Sequence, residues 1–327
     1  MGTKRVDRRR LLLGGAVVGS SVAMATEALA GAALKPGNWA GATGVMPGSG
    51  FFDAIKAGAR ADGKADDQPL LQHLLDGLTE GSVVHFPPGR YHLGKPLTIK
   101  TGHASLIGWG AFFDNTIILD ARELRAVGLS VVGSPGDGFH MMGGQGAHYE
   151  SLSSQHNGGV GFLVGGADGR HVAWAVFQAC NALRNKGDGW LLDGSHDNNW
   201  VNATLFSGCW SRANGGCGWK SLARTNYNCW IGTQVEENCI HQPDVPPIVL
   251  AGIDHCIYGS HVVDTNNCGT SIRFLKPRGN MIFGGRYIGG VEGAEYTQAV
   301  ILNAAEEQIM RTRRALRRGD AGDDAGN

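Results

Sequence analysis

The sequence predicts an all-β chain built as a parallel β-helix, or solenoid, with a capping helix at its N-terminal end. Three observations predict it. Of the 327 residues 52 are glycine, too many for a helical protein and without the triplet period of collagen. One motif is written four times, as Gly136-Asp137-Gly138-Phe139, Gly159-Val160-Gly161-Phe162, Gly187-Asp188-Gly189-Trp190 and Gly216-Cys217-Gly218-Trp219. Its aromatic positions lie 23, 28 and 29 residues apart, the length of one solenoid coil, whose equivalent residues stack about 4.8 Å apart.

Residues 1–30 read as an export signal outside the fold. Arg8-Arg9-Arg10 precedes a moderately apolar run from Leu11 to Met24, and Ala28-Leu29-Ala30 offers a small-x-small cleavage site. The paired arginines and glycine-rich apolar core resemble a Tat signal, which implies the Tat machinery as a partner and a periplasmic or extracellular destination. The apolar run is shorter than the roughly 20 residues that span a bilayer. Lys+Arg and Asp+Glu number 29 each, so no charge excess advertises a nucleic-acid partner. Residues 31–50, rich in glycine and alanine without periodicity, read as a flexible leader.

The domain proper is expected over 51–303. Asp66-Asp67 are good N-cap residues, Pro69 suits a first helical turn, and Leu70, Leu71, Leu74, Leu75 and Leu78 recur at helical spacing. Val83-Val84-His85-Phe86 then reads as a strand, Pro87-Pro88-Gly89-Arg90-Tyr91 as a rigid turn, and Leu97-Thr98-Ile99 and Leu106-Ile107-Gly108-Trp109-Gly110 as further strands. The order Gly58-Ala59, Asp62-Gly63, Asp66-Asp67, amphipathic helix, Phe86-Pro87-Pro88-Gly89-Arg90-Tyr91 resembles the N-terminal signature of the pectate-lyase superfamily. That group includes rhamnogalacturonase-like and epimerase-like proteins and some phage tailspikes. The resemblance covers about residues 51–110 and implies a right-handed coil with the helix capping one end.

Other residues recur in columns. Asn199-Trp200, Asn228-Cys229, His255-Cys256 and Asn280-Met281 follow one another at 29, 27 and 26 residues, and about seven coils are expected between 105 and 302. Phe139, Phe162, Trp190 and Trp219 read as a stacked ladder in the core. Trp210 and Trp230 fall outside it and are expected to stack on a sugar ring. Asn157, Asn181, Asn214, Asn238 and Asn267 lie near turns, where asparagine bonds the backbone. Of seven cysteines, Cys180 with Cys209 and Cys229 with Cys256 share columns, as disulfides or as small apolar groups. No zinc spacing occurs. Residues 304–327 read as a short basic helix and a disordered tail.

Aligning Cys229, Cys256 and Met281 places Gln234, His261 and Arg286 in one outward column. Val235, Val262 and Tyr287 follow inward, and then Glu237 stacks on Asp264 with Glu236 alongside. Taking Val176 and Leu205, then Ala179 and Gly208, as the equivalents in earlier coils, the cluster is a local switch to polar residues. Two carboxylates about 5 Å apart suit glycoside hydrolysis, one protonated and one ionised. Glu237 and Asp264 are therefore the expected catalytic pair, with Gln234, His261, Arg286, Glu236 and Trp230 binding substrate. The same groups would equally form ion pairs on a solvated face. No metal or cofactor is expected for hydrolysis, whereas a lyase would need Ca²⁺ or cationic side chains, such as Arg286 with His261 or Lys220 with Arg224, to neutralise a uronic carboxylate. The expected function is an exported, polysaccharide-cleaving protein, hydrolysis ahead of elimination. The alternative is a non-catalytic glycan-binding or assembly module, with oligomers admitted.

Overall fold

The computed structural model describes residues 50–263, 268–276 and 278–293. The export signal, all of the leader but Gly50, and the C-terminal helix and tail lie outside the described residues. Within them the chain forms 31 short strands and one helix. Each coil runs through a strand of sheet A, a corner, a strand of sheet B, a second corner and a strand of sheet C. Arg125–Val127, Ser130–Val132 and Phe139–Gly143 make one such coil. Sheets A and B hold ten strands each and sheet C nine, and neighbouring coils pair in parallel, with register shifts within the strands Asp62–Asp66, Phe139–Gly143 and Thr270–Phe274. Eight strands of sheet A lie between residues 105 and 283, one more than the expected coil count.

Helix α1, Gln68–Asp76, closes the N-terminal end as the leucine spacing predicts, burying Leu71 and Leu75. Gln72 explains how the cap seals a sheet edge. Its side chain donates to Thr98 O and accepts from Thr98 N–H, both at 2.9 Å, satisfying the first strand of sheet C. Asp67 does not cap the helix with its side chain. Its carboxylate accepts instead from the N–H groups of Arg60 and Ala61 at 2.7 and 2.9 Å, pinning the preceding loop.

The interior is filled by in-register stacks. Phe139, Phe162, Trp190 and Trp219 form the expected ladder, with ring centroids 5.2, 4.0 and 4.5 Å apart and planes within 9°. A second stack, Phe177, Phe206 and Trp230, meets the first edge-on, with Trp219 and Trp230 at 83°. Cys180 and Cys209 are buried thiols that donate to the carbonyls of Tyr149 and Phe177. The corners repeat too. Between sheets C and A, His103, Glu123, Gly146, Trp174, Ala203, Tyr227 and Asp254 all take positive φ, so the left-handed conformation there belongs to the fold and not to one site.

Between sheets B and C a ladder of buried asparagines replaces regular pairing. Asn157, Asn185, Asn214 and Asn238 follow at 28, 29 and 24 residues, each passing Nδ2–H to the next carbonyl at 2.8–2.9 Å. Asn185, not Asn181, is the ladder member, because Asn181 lies within a sheet B strand; Asn267 is outside the described residues. The second series needs a larger correction. Thr204, Asn228, His255 and Asn280 form its column, each backbone N–H bonded to the next side chain. Asn199 and Trp200 belong elsewhere: Trp200 pairs with His171 in a separate two-stranded sheet, and Leu205 pairs with Cys229.

Candidate functional site

That five-residue difference moves the neighbours of the expected cluster. Gln234, His261 and Arg286 do stack in one exposed column of sheet B, and Val235, Val262 and Tyr287 are buried behind them. The preceding rungs, however, are Trp210 and Asn181, with Arg212 opposite Glu236. Val176 and Leu205 lie in sheet A, while Ala179 and Gly208 are corner residues with positive φ. The polar character of this face therefore begins before Gln234.

Glu237 stands at the corner after sheet B with φ 53°, exposed, and its Oε2 lies 3.0 Å from Arg212 Nε. Glu236 approaches the same guanidinium at 3.7 Å. A salt bridge this open to water adds little to stability. Asp264, the other expected carboxylate, lies outside the described residues. Trp230 is only 3% exposed and packs in the second aromatic stack, so it cannot offer a face to a sugar. Trp210 holds the outward position beside Arg212, whose guanidinium carbon is 5.8 Å from the ring centre.

A deeper feature lies on sheet A. Two successive coils carry extra strands, His171–Ala173 and Trp200–Asn202, which pair as the fourth sheet between sheets C and A. The ring of His171 stacks on Trp200 with centroids 3.4 Å apart. The segment leading through this insertion walls off the shorter coils before it. Against that wall lie a cavity of about 530 Å³ bounded by Trp174 and another of about 380 Å³ bounded by Arg170 and His171. Arg122 and Gln145 line both, so they form one trough.

Ser105, Arg125 and His148 line the first cavity from consecutive rungs of sheet A, in register and pointing outward because Leu106, Ala126 and Tyr149 point in. Lys100, Arg122, Arg125 and Arg170 supply positive charge. Arg170 is neutralised by Asp120 at 3.2 Å, whose side chain is only 6% exposed, and Glu123 is paired with His103 at 3.0 Å. Among the described residues Lys100, Arg122 and Arg125 have no carboxylate within salt-bridge distance. At the end of the trough Trp174 is 66% exposed, a flat apolar face over a cationic floor. This arrangement can hold an anionic, ring-shaped ligand. Among the described residues no three His, Cys, Asp or Glu side chains group as metal ligands.

Sequence reasoning missed the trough because it followed the strongest repeat, whose period the insertion distorts. The available signal was the charged cluster Arg122, Glu123 and Arg125, running from a corner into the start of the strand Arg125–Val127.

No model of a known protein family matches the sequence, and no curated protein matches it. Solved structures do. Geobacillus virus E2 ORF18 superposes with a TM-score of 0.52 and 15% identity over 78% of this chain and 60% of that one. The tailspike gp49 of Acinetobacter baumannii bacteriophage Fri1, a capsular polysaccharide depolymerase, gives 0.50 and 12% over 82% and 66%. Pectate lyase Pel9A gives 0.44 and 13% over 71% and 72%. The chain spans less than two thirds of the length of the first two. At such identities the likeness speaks for architecture: three parallel sheets, a capping helix and ladders at the corners make this chain a pectate-lyase-like parallel β-helix.

Proposed function

We propose that this protein binds and cleaves an anionic polysaccharide laid across the coils in the trough of sheet A. The observation that carries the reading is the pair Arg122 and Arg125, unneutralised among the described residues, beside the exposed indole of Trp174. Charge-assisted hydrogen bonds from the two guanidinium groups would hold a sugar carboxylate, and Trp174 would stack on a neighbouring ring. Pairing a carboxylate with arginine also acidifies the C–H bond next to it. His148, one rung from Arg125, would accept that proton. The C–H bond breaks, a C=C bond forms and the glycosidic C–O bond opens, the departing oxygen being protonated by water. Elimination thus suits this trough better than hydrolysis. The fold likeness to a capsular polysaccharide depolymerase supports a glycan ligand. On this reading the export signal at 1–30 delivers the solenoid to a periplasmic or extracellular glycan through the Tat machinery.

The exposed column Gln234, His261 and Arg286, beside Glu236 and Glu237, favours a second reading, hydrolysis on sheet B with Glu237 and Asp264 as the acid pair. One experiment separates the two. The protein and its Arg125→Ala, His148→Ala, Glu237→Gln and Asp264→Asn variants are incubated with acidic and neutral polysaccharides, following reducing ends and the ultraviolet absorbance of unsaturated uronates. Unsaturated products lost in Arg125→Ala and His148→Ala support elimination in the trough. Saturated products lost in Glu237→Gln and Asp264→Asn support the second reading. Binding without product leaves a glycan-binding module.

A further inference from the structure

Outside both candidate sites, three sulfur-bearing side chains stand on consecutive rungs of sheet A. Cys229 pairs in register with Cys256, and Cys256 with Met281. They face outward, because the next residues along, Trp230, Ile257 and Ile282, are the buried ones. All three are partly exposed, unlike the interior pair Cys180 and Cys209. Leu205 flanks them on the preceding rung, and Ile231, Tyr258 and Phe283 run beside them, so the sulfurs sit in an apolar border with an open side.

We propose that Cys229 and Cys256, with Met281 adjacent, form a surface site for a soft monovalent metal ion, Cu(I). Ligand softness argues for this ion: two thiolates and a thioether suit Cu(I) and offer nothing to Ca²⁺ or Mg²⁺. The rung spacing argues for a metal bridge over a covalent one. In-register side chains of a parallel sheet start about 4.8 Å apart, whereas a disulfide wants Cβ atoms about 3.8 Å apart. Two metal–thiolate bonds, about 2.3 Å each for zinc, hold sulfurs well beyond the roughly 2.05 Å of a disulfide, so the rungs need not close to be bridged. Met281, the longest and most flexible of the three, leans in from the next rung as a third, weaker donor. Binding is a proton exchange without redox change: Cu(I) gains two Cu–S bonds and both thiols release their protons. Because both thiols must lose their protons to bind, uptake weakens as pH falls.

The test uses the full chain, reduced and held without oxygen, titrated with Cu(I) against a chromophoric Cu(I) chelator. The expected result is one equivalent withdrawn from the chelator. Cys229→Ser and Cys256→Ser each lower the affinity by at least about tenfold, and Met281→Leu lowers it less. Because these side chains lie on the outer surface, unchanged circular dichroism separates loss of ligand from loss of fold. Cys180→Ala with Cys209→Ala, in the interior, is expected to leave uptake unchanged. The proposal is overturned if the reduced protein takes no Cu(I) from the chelator, or if the Cys229 and Cys256 variants keep the full affinity.

Discussion

Asn185 passes two of its donors to one atom: its backbone N–H and its Nδ2–H each lie 2.9 Å from Oδ1 of Asn214. Both residues are buried, so neither donor has water to fall back on. Asn214 makes the same pair of contacts to Asn238 at 3.3 and 2.8 Å. Removing one rung therefore leaves two buried donors without an acceptor. Asn214→Ala is expected to lower stability by about 3 kcal/mol or more, read as a shifted denaturant midpoint. Asn181→Ala, outside the ladder, is expected to cost less than half as much.

His255 occupies an asparagine-like position between Asn228 and Asn280. Its Nδ1 accepts the Asn228 N–H at 3.3 Å, while Nε2 is buried without a partner. Burial pushes its pKa down to about 4. In the unfolded chain it would be near 6.5, so the fold disfavours the protonated ring. The resulting stability is complete above about pH 6.5 and is lost as pH falls towards 4, by at most about 3 kcal/mol. Urea midpoints at about pH 7 and about pH 4.5 should show that loss, and His255→Asn should reduce it.

Binding in the trough is expected to depend on Arg125 and Arg122 through charge. Each alanine substitution should weaken an acidic oligosaccharide by roughly tenfold or more in calorimetry, and added salt should weaken the wild type more than either variant. Trp174→Ala should weaken acidic and neutral oligosaccharides alike, since stacking does not read charge.

Core and surface tryptophans are expected to diverge. Trp190 is fully buried between Phe162 and Trp219, so Trp190→Ala should cost about 3–5 kcal/mol in denaturant unfolding. Trp174→Ala should change stability by about 0.5 kcal/mol or less.

What the sequence made legible followed from how repetition is written. The four glycine–aromatic motifs mark strands whose side chains must stack, and Phe139 to Trp219 do so. The leucines of α1 have one amphipathic face and a single place to bury it. The Gln234, His261 and Arg286 column was also readable, because no insertion intervenes among those coils. Trp200 shows where the reading failed. It carries the asparagine-plus-residue pattern of Cys229 but belongs to an added strand, which displaced the register of all earlier coils by five residues. Trp230 was misplaced because alternation in a three-residue strand is too short to tell inside from outside without its neighbours. The trough escaped because its wall is an interruption of the repeat and its cations come from different coils.

The two inserted strands also separate two properties that most enzymes must change together. Coils along the asparagine ladder differ by up to five residues, yet the side-chain amide contacts of the ladder stay between 2.8 and 2.9 Å. Extra length is therefore absorbed at the wall and not transmitted to the stack. Lineages of such a protein can lengthen, shorten or replace that wall, and so exchange one glycan for another, while the scaffold inherits no debt from the change.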